Sequence, residues 1–179
     1  MKTSNFFLIL AVMSFQNFAS AKDAVLPETG FPGCATKVLN KYPGFFTSVE
    51  AEGNNTGQFF YEFDVVMKNK IKPKEYREIE VECNPSTLEL SDIEEEVKPN
   101  DHRFLKSVKI TSKEAEKIAL DSVSGIIVDR EFAIENSKPI YEFDILDKKT
   151  KKEIEIEVDG VSGQVIEKEI EFFEVGVDS

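Results

Sequence analysis

The hexapeptide YEFDVV at 61–66 returns as YEFDIL at 141–146, and a strand written twice in so short a chain points to an internally duplicated fold. Both copies alternate. Tyr61, Phe63 and Val65 face one side while Glu62 and Asp64 face the other, and Tyr141, Phe143 and Ile145 stand likewise opposite Glu142 and Asp144. A second alternating run follows each copy, YREIEVEC and KEIEIEVD, with Ile79 and Val81 matching Ile154, Ile156 and Val158. Such segments pack one face on a helix and leave the carboxylate face to water.

The flanking segments repeat in the same order. In CATKVLNKYPG, residues Ala35, Val38, Leu39 and Tyr42 share a helical face before Pro43-Gly44 stops the helix. In TSKEAEKIALDSVSG, Thr111 and Glu114 have capping-box spacing, and Ala115, Ile118, Ala119 and Val123 form the apolar stripe. Each helix leads to a strand-like run, a polar turn, the doubled strand, a lysine-rich tip and a closing strand. The expected fold is therefore α+β: two tandem repeats, each a helix packed on a small antiparallel sheet. Repeat 1 is expected over 22–97 and repeat 2 over 104–179, with a linker at 98–103 marked by Pro99, Asn100 and Asp101.

Residues 1–21 carry one early lysine, an apolar run from Phe6 to Phe15 and small residues before Ala21, the pattern of a secretory signal peptide. That run is shorter than the roughly 20 residues a membrane-spanning helix needs, so no membrane insertion is expected after its removal. The chain is expected to be exported, to a bacterial periplasm or the medium. Its formal charge of −12 repels phosphate backbones and favours basic polypeptides or cations as partners, excluding nucleic acid. Cys34 and Cys83 pass through an oxidising compartment on this reading and are expected to pair. Two separately buried thiols are the alternative, since a bridge needs Cα atoms within about 7 Å. Two cysteines and one histidine do not make a four-ligand zinc site, and no metal or cofactor is expected.

The run ITSKEAEKIALDSV, then YEFDIL, then KKEIEIEVDGVSGQVIE, resembles a PepSY domain over 111–168. The shared pattern is a lead helix with an alanine-rich face, a tyrosine-containing strand and a closing Asp-x-x-(Ser/Thr)-Gly-x-(Val/Ile) turn. In the first repeat Cys83-Asn84-Pro85-Ser86-Thr87-Leu88 stands where that turn would be, so repeat 1 is similar to a divergent copy and to the PepSY-like modules related to beta-lactamase inhibitor protein. The resemblance implies an extracytoplasmic module of metalloprotease propeptides and exported proteins that binds or inhibits peptidases and has no catalytic residue. With no protease domain in the chain, any inhibition is expected to act on a separate partner.

The search for chemistry agrees. His102 is the sole histidine and falls in the expected linker, and there is no nucleophile elbow, phosphate-cradling glycine loop or calcium loop. What remains is acid on one face of adjacent strands, where like charges destabilise a sheet unless something relieves them. Glu62, Asp64, Glu80, Glu82, Glu142, Asp144, Glu155 and Glu157 are the candidate binding residues. The expected function is an exported, non-enzymatic protein-binding module, a peptidase inhibitor or regulator acting on a peptidase or other basic polypeptide. The alternative is an acidic cation-binding or envelope structural protein.

Overall fold

A computed structural model describes residues 30–69 and 75–176; the expected signal peptide lies outside the described residues. The first half runs α1 (Gly30–Lys41), β1 (Phe45–Asn54), β2 (Phe59–Lys68), β3 (Tyr76–Cys83) and β4 (Leu90–Glu96). The second runs α2 (His102–Ser107), α3 (Ser112–Ser122), β5 (Gly125–Glu135), β6 (Lys138–Asp147), β7 (Glu153–Asp159) and β8 (Val165–Gly176).

All eight strands pair antiparallel in sequence order, and β1 pairs with β8, closing one barrel. This overturns the expected pair of separate helix-on-sheet units. The physical reason is edge satisfaction: a four-stranded meander leaves two rows of unpaired amides and carbonyls, which closure removes. The seams are the β4–β5 ladder, with Glu94 opposite Glu135 and Glu96 opposite Ala133, and the β1–β8 ladder, with Glu50 opposite Glu174 and Gly53 opposite Ile170. The run 91–97 is mostly strand β4 and supplies one of those seams.

Local chemistry sets the elements. Thr111 accepts a hydrogen bond from the Glu114 amide while the Glu114 carboxylate accepts one from the Thr111 amide, the reciprocal cap that the spacing predicted. Between β7 and β8, the Asp159 carboxylate accepts from the amides of Val161 and Ser162, and Gly163 takes φ +72°. Between β3 and β4, Asn84 accepts from the amides of Ser86 and Thr87, and Leu88 takes φ +59°. The two turns are the same, although their sequences share little.

The apolar face of the strands points outward, under the helices. One outer core joins Cys34 and Val38 of α1 to Phe63, Val65, Ile79 and Val81. The other joins Phe104, Ala115, Ala119 and Val123 to Tyr141, Phe143, Ile145, Ile156 and Val158. Cys34 and Cys83 form a disulfide with Cα atoms 5.7 Å apart, tying α1 to the end of β3. The segment 98–103 does not merely link: it turns at Asp101, which caps α2, and α2 then delivers Phe104, 1% exposed, into the second outer core. No helix among the described residues is long and apolar enough to cross a membrane.

Candidate functional site

With the apolar face turned outward, the alternate residues of every strand turn inward, and these are overwhelmingly acidic. The carboxylate face, expected to meet bulk water, lines the lumen of the barrel. An eight-stranded barrel is only wide enough for side chains to fill, so the acids are pressed together. Glu80, Glu82, Glu142, Glu155 and Glu157 are buried, and Glu62, Asp64 and Asp144 are partly buried.

The ladder register brings the sequence-predicted residues face to face. Glu62 lies opposite Glu82, Glu142 opposite Glu157, and Asp144 opposite Glu155. Closure then joins the two halves. Carboxylate oxygens of Glu62 and Glu155 come within 4.8 Å of one another and of Glu52, and those of Glu80 and Glu142 do the same with Glu131. No sequence argument about one hairpin could place a glutamate of the first half beside one of the second, because that proximity depends on the seams.

Sequence reasoning left out much of the lumen: Glu50 and Glu52 on β1, Glu94 and Glu96 on β4, Glu131 and Glu135 on β5, and Glu167, Glu169 and Glu171 on β8. The signal was present in the glutamate at every second position of VEAE at 49–52 and EKEIE at 167–171.

Part of the lumen is an open cavity of about 430 Å³ lined by Glu62, Asp64, Glu80, Glu142, Asp144 and Glu155, among others. Glu82 and Glu157 lie beyond it. A larger groove of about 1710 Å³ passes Lys41, Arg77 and Arg103, and there Glu95 pairs with both arginines. Burial pushes the Glu95 carboxyl up, yet hydrogen bonds from Arg103 and Arg77 outweigh it and hold it low. In the lumen no lysine or arginine ion pair reaches Glu52, Glu62, Glu80, Glu82, Glu142, Glu155 or Glu157 among the described residues.

The lumen therefore pushes its carboxyls above their ordinary range. Burial, reinforced by neighbouring carboxylates, pushes Glu50 up to about 10 and Asp144 up to about 8. Burial also raises Asp64 to about 6, although a hydrogen bond from Ser48 partly opposes the shift. Glu62, Glu80, Glu142, Glu155 and Glu157 are raised well above the usual carboxylate range, burial again leading. Such a lumen can trade protons for a cationic group. His102 stands exposed at the start of α2.

Residues 109–169, spanning α3 and β5 to β7 with most of the β8 approach, match the family model described as peptidase propeptide and YPEB domain, PepSY. Among solved structures, a candidate lipoprotein from Clostridium difficile 630 is similar at 19% identity, covering 80% of this chain and 93% of its own, with a TM-score of 0.34. The comparison with curated proteins returns no match. The family resemblance seen in the sequence is thus shown for residues 109–169.

Proposed function

We propose that the chain is an exported, non-enzymatic binding module that regulates a separate peptidase or other basic polypeptide, receiving a basic group of that partner at the open mouth of the lumen. The observation that carries this reading is the 430 Å³ cavity, where no lysine or arginine ion pair reaches Glu62, Glu80, Glu142 or Glu155 among the described residues. The PepSY match over 109–169 supports a non-catalytic, peptidase-directed role. A lysine or arginine side chain entering the mouth would exchange a crowded set of shared protons for a fixed positive charge.

The test is association of the mature protein with a purified metallopeptidase and with a lysine-rich peptide, measured at low and high salt. Association is expected to slow steeply as salt rises, because charges around an interface act mainly on the encounter rate. Asp144→Asn and Glu155→Gln, which change the cavity lining, are expected to weaken binding while leaving the fold intact. Affinity unmoved by both salt and substitution would show that recognition lies elsewhere on the molecule.

A further inference from the structure

Beyond the open cavity, where Glu52 of β1, Glu82 of β3 and Glu169 of β8 converge, lie three deeply buried acids. Glu52 and Glu169 are each 1% exposed and Glu82 is 4% exposed. Their carboxylate oxygens lie within 4.8 Å of one another. Proximity of acids is common and by itself means little; the hydrogen bonding is what distinguishes this point. Neither oxygen of Glu52, and one oxygen of Glu169, has a hydrogen-bond donor among the described residues. Leaving a buried polar atom unpaired is costly, and more so if it is charged. Three such atoms converging on one spot is an arrangement that a ligand would resolve.

We propose that Glu52, Glu82 and Glu169 form a binding site for a hard divalent cation of calcium's size. The donor set is all oxygen, which suits calcium or magnesium over the softer metals that favour imidazole or thiolate. Calcium accepts irregular oxygen coordination at about 2.3–2.6 Å, whereas magnesium demands shorter bonds and a near-ideal octahedron. Calcium tolerates six to eight irregular oxygen ligands, water among them. Ser91 donates to Glu82 at 2.9 Å and fixes the orientation of that carboxylate. The ion would tie β1, β3 and β8 together across the lumen.

This site is distinct from the mouth, since Glu52, Glu82 and Glu169 do not line the open cavity; ion binding and partner binding can therefore fail separately. The experiment uses the mature protein, stripped with a chelator and titrated at pH 7.5 with calcium chloride, followed by calorimetry and thermal unfolding. A saturable calcium isotherm and a calcium-dependent rise in Tm are expected, with magnesium weaker at the same concentration. Glu52→Gln and Glu169→Gln should each weaken calcium binding about tenfold or more, while Glu89→Gln, in the β3–β4 turn, should leave it unchanged. Absence of binding by the unsubstituted protein up to about 10 mM, with Tm unmoved by calcium, would overturn the proposal and show that shared protons alone hold these acids. Unchanged calcium affinity in both glutamine variants would overturn the assignment of ligands, and the wild-type isotherm decides the matter if a variant does not fold.

Discussion

Asp144 lies directly opposite Glu155 in the β6–β7 ladder, two acids side by side on the inward face of the barrel. No lysine or arginine ion pair reaches either of them among the described residues, and the consequence is a specific pH dependence. Burial first, then the charges of Glu153, Glu131, Asp129 and Glu171, raises Asp144 to about 8. Asp64 is raised to about 6 and Glu131 to about 7, burial leading in both. In the unfolded chain these groups titrate near the ordinary 3.8 to 4.5. Between those values the folded protein holds protons that the unfolded chain has released, so stability falls as pH rises.

In chelator, Tm is therefore expected to be highest in mildly acidic solution and to decline progressively from about pH 5 to about pH 8. Asp144→Asn should flatten the upper part of that decline. Below the ordinary carboxylate range the opposite set acts: Asp101, Asp147 and Asp159 are held low by hydrogen bonds, and acid removes their contribution. Thermal melts across pH 3 to 9 check this, and a Tm that is flat or rising from pH 5 to 8 would refute it.

The Cys34–Cys83 bridge encloses a separation of 49 residues, and in the chain-entropy account such a loop stabilises by about 4 kcal/mol. Its removal by Cys34→Ala with Cys83→Ala, both positions being fully buried, should lower stability by at least about 3 kcal/mol in denaturant titrations. A loss below about 1 kcal/mol would show that α1 is held by its apolar contacts alone.

Phe143 is 1% exposed and stacks with Tyr141 at a centroid distance of 6.5 Å. Phe143→Ala should cost about 3–5 kcal/mol. Phe63 occupies the corresponding place beneath α1, fully buried and 4.9 Å from Phe46, and its truncation should cost a similar amount. Chemical denaturation of each variant measures both, and a much smaller loss at either position would remove that ring from its core.

Gly125 opens β5 at a point where a Cβ would stand 2.1 Å from Ile145 Cγ2 and 2.7 Å from the Leu146 carbonyl oxygen. Gly44 precedes β1 in a like position, its Cβ meeting the Val66 carbonyl at 2.4 Å. Backbone cannot move aside as a side chain can, so Gly125→Ala should cost about 1–3 kcal/mol, read from the midpoint of urea unfolding. An unchanged midpoint would mean that the strand start shifts freely.

Ile145 and Leu146 stand in the second hexapeptide where Val65 and Val66 stand in the first, so the doubled strand carries the backbone approach of these glycines with it. Much of the fold was legible for this kind of reason. Helices α1 and α3, the alternation, the capping box at Thr111 and the pairing of Cys34 with Cys83 all follow from local spacing or compartment, whereas α2 arises where a linker was expected. Even the departure at Asn84–Leu88 keeps its turn, because Asn84 accepts the same amide bonds as Asp159. What local spacing could not supply is closure. An alternating strand has two faces, and nothing within it says which neighbour covers the acidic one. Only the β4–β5 and β1–β8 ladders settle that, and they pair residues far apart in the chain. The same limit hid Glu52 and Glu169, whose meeting depends on the β8 seam.

An inward acidic face also changes how the molecule presents itself to its surroundings. The formal charge of −12 and isoelectric point of about 4.7 count every carboxylate as though it met solvent. Glu50, Glu82, Glu94 and Asp144 keep their protons at neutral pH, so the folded protein should elute from an anion exchanger earlier than its composition suggests and focus at a higher pH. Unfolding would release the hidden charge. To an approaching molecule the barrel is a milder polyelectrolyte than its composition suggests.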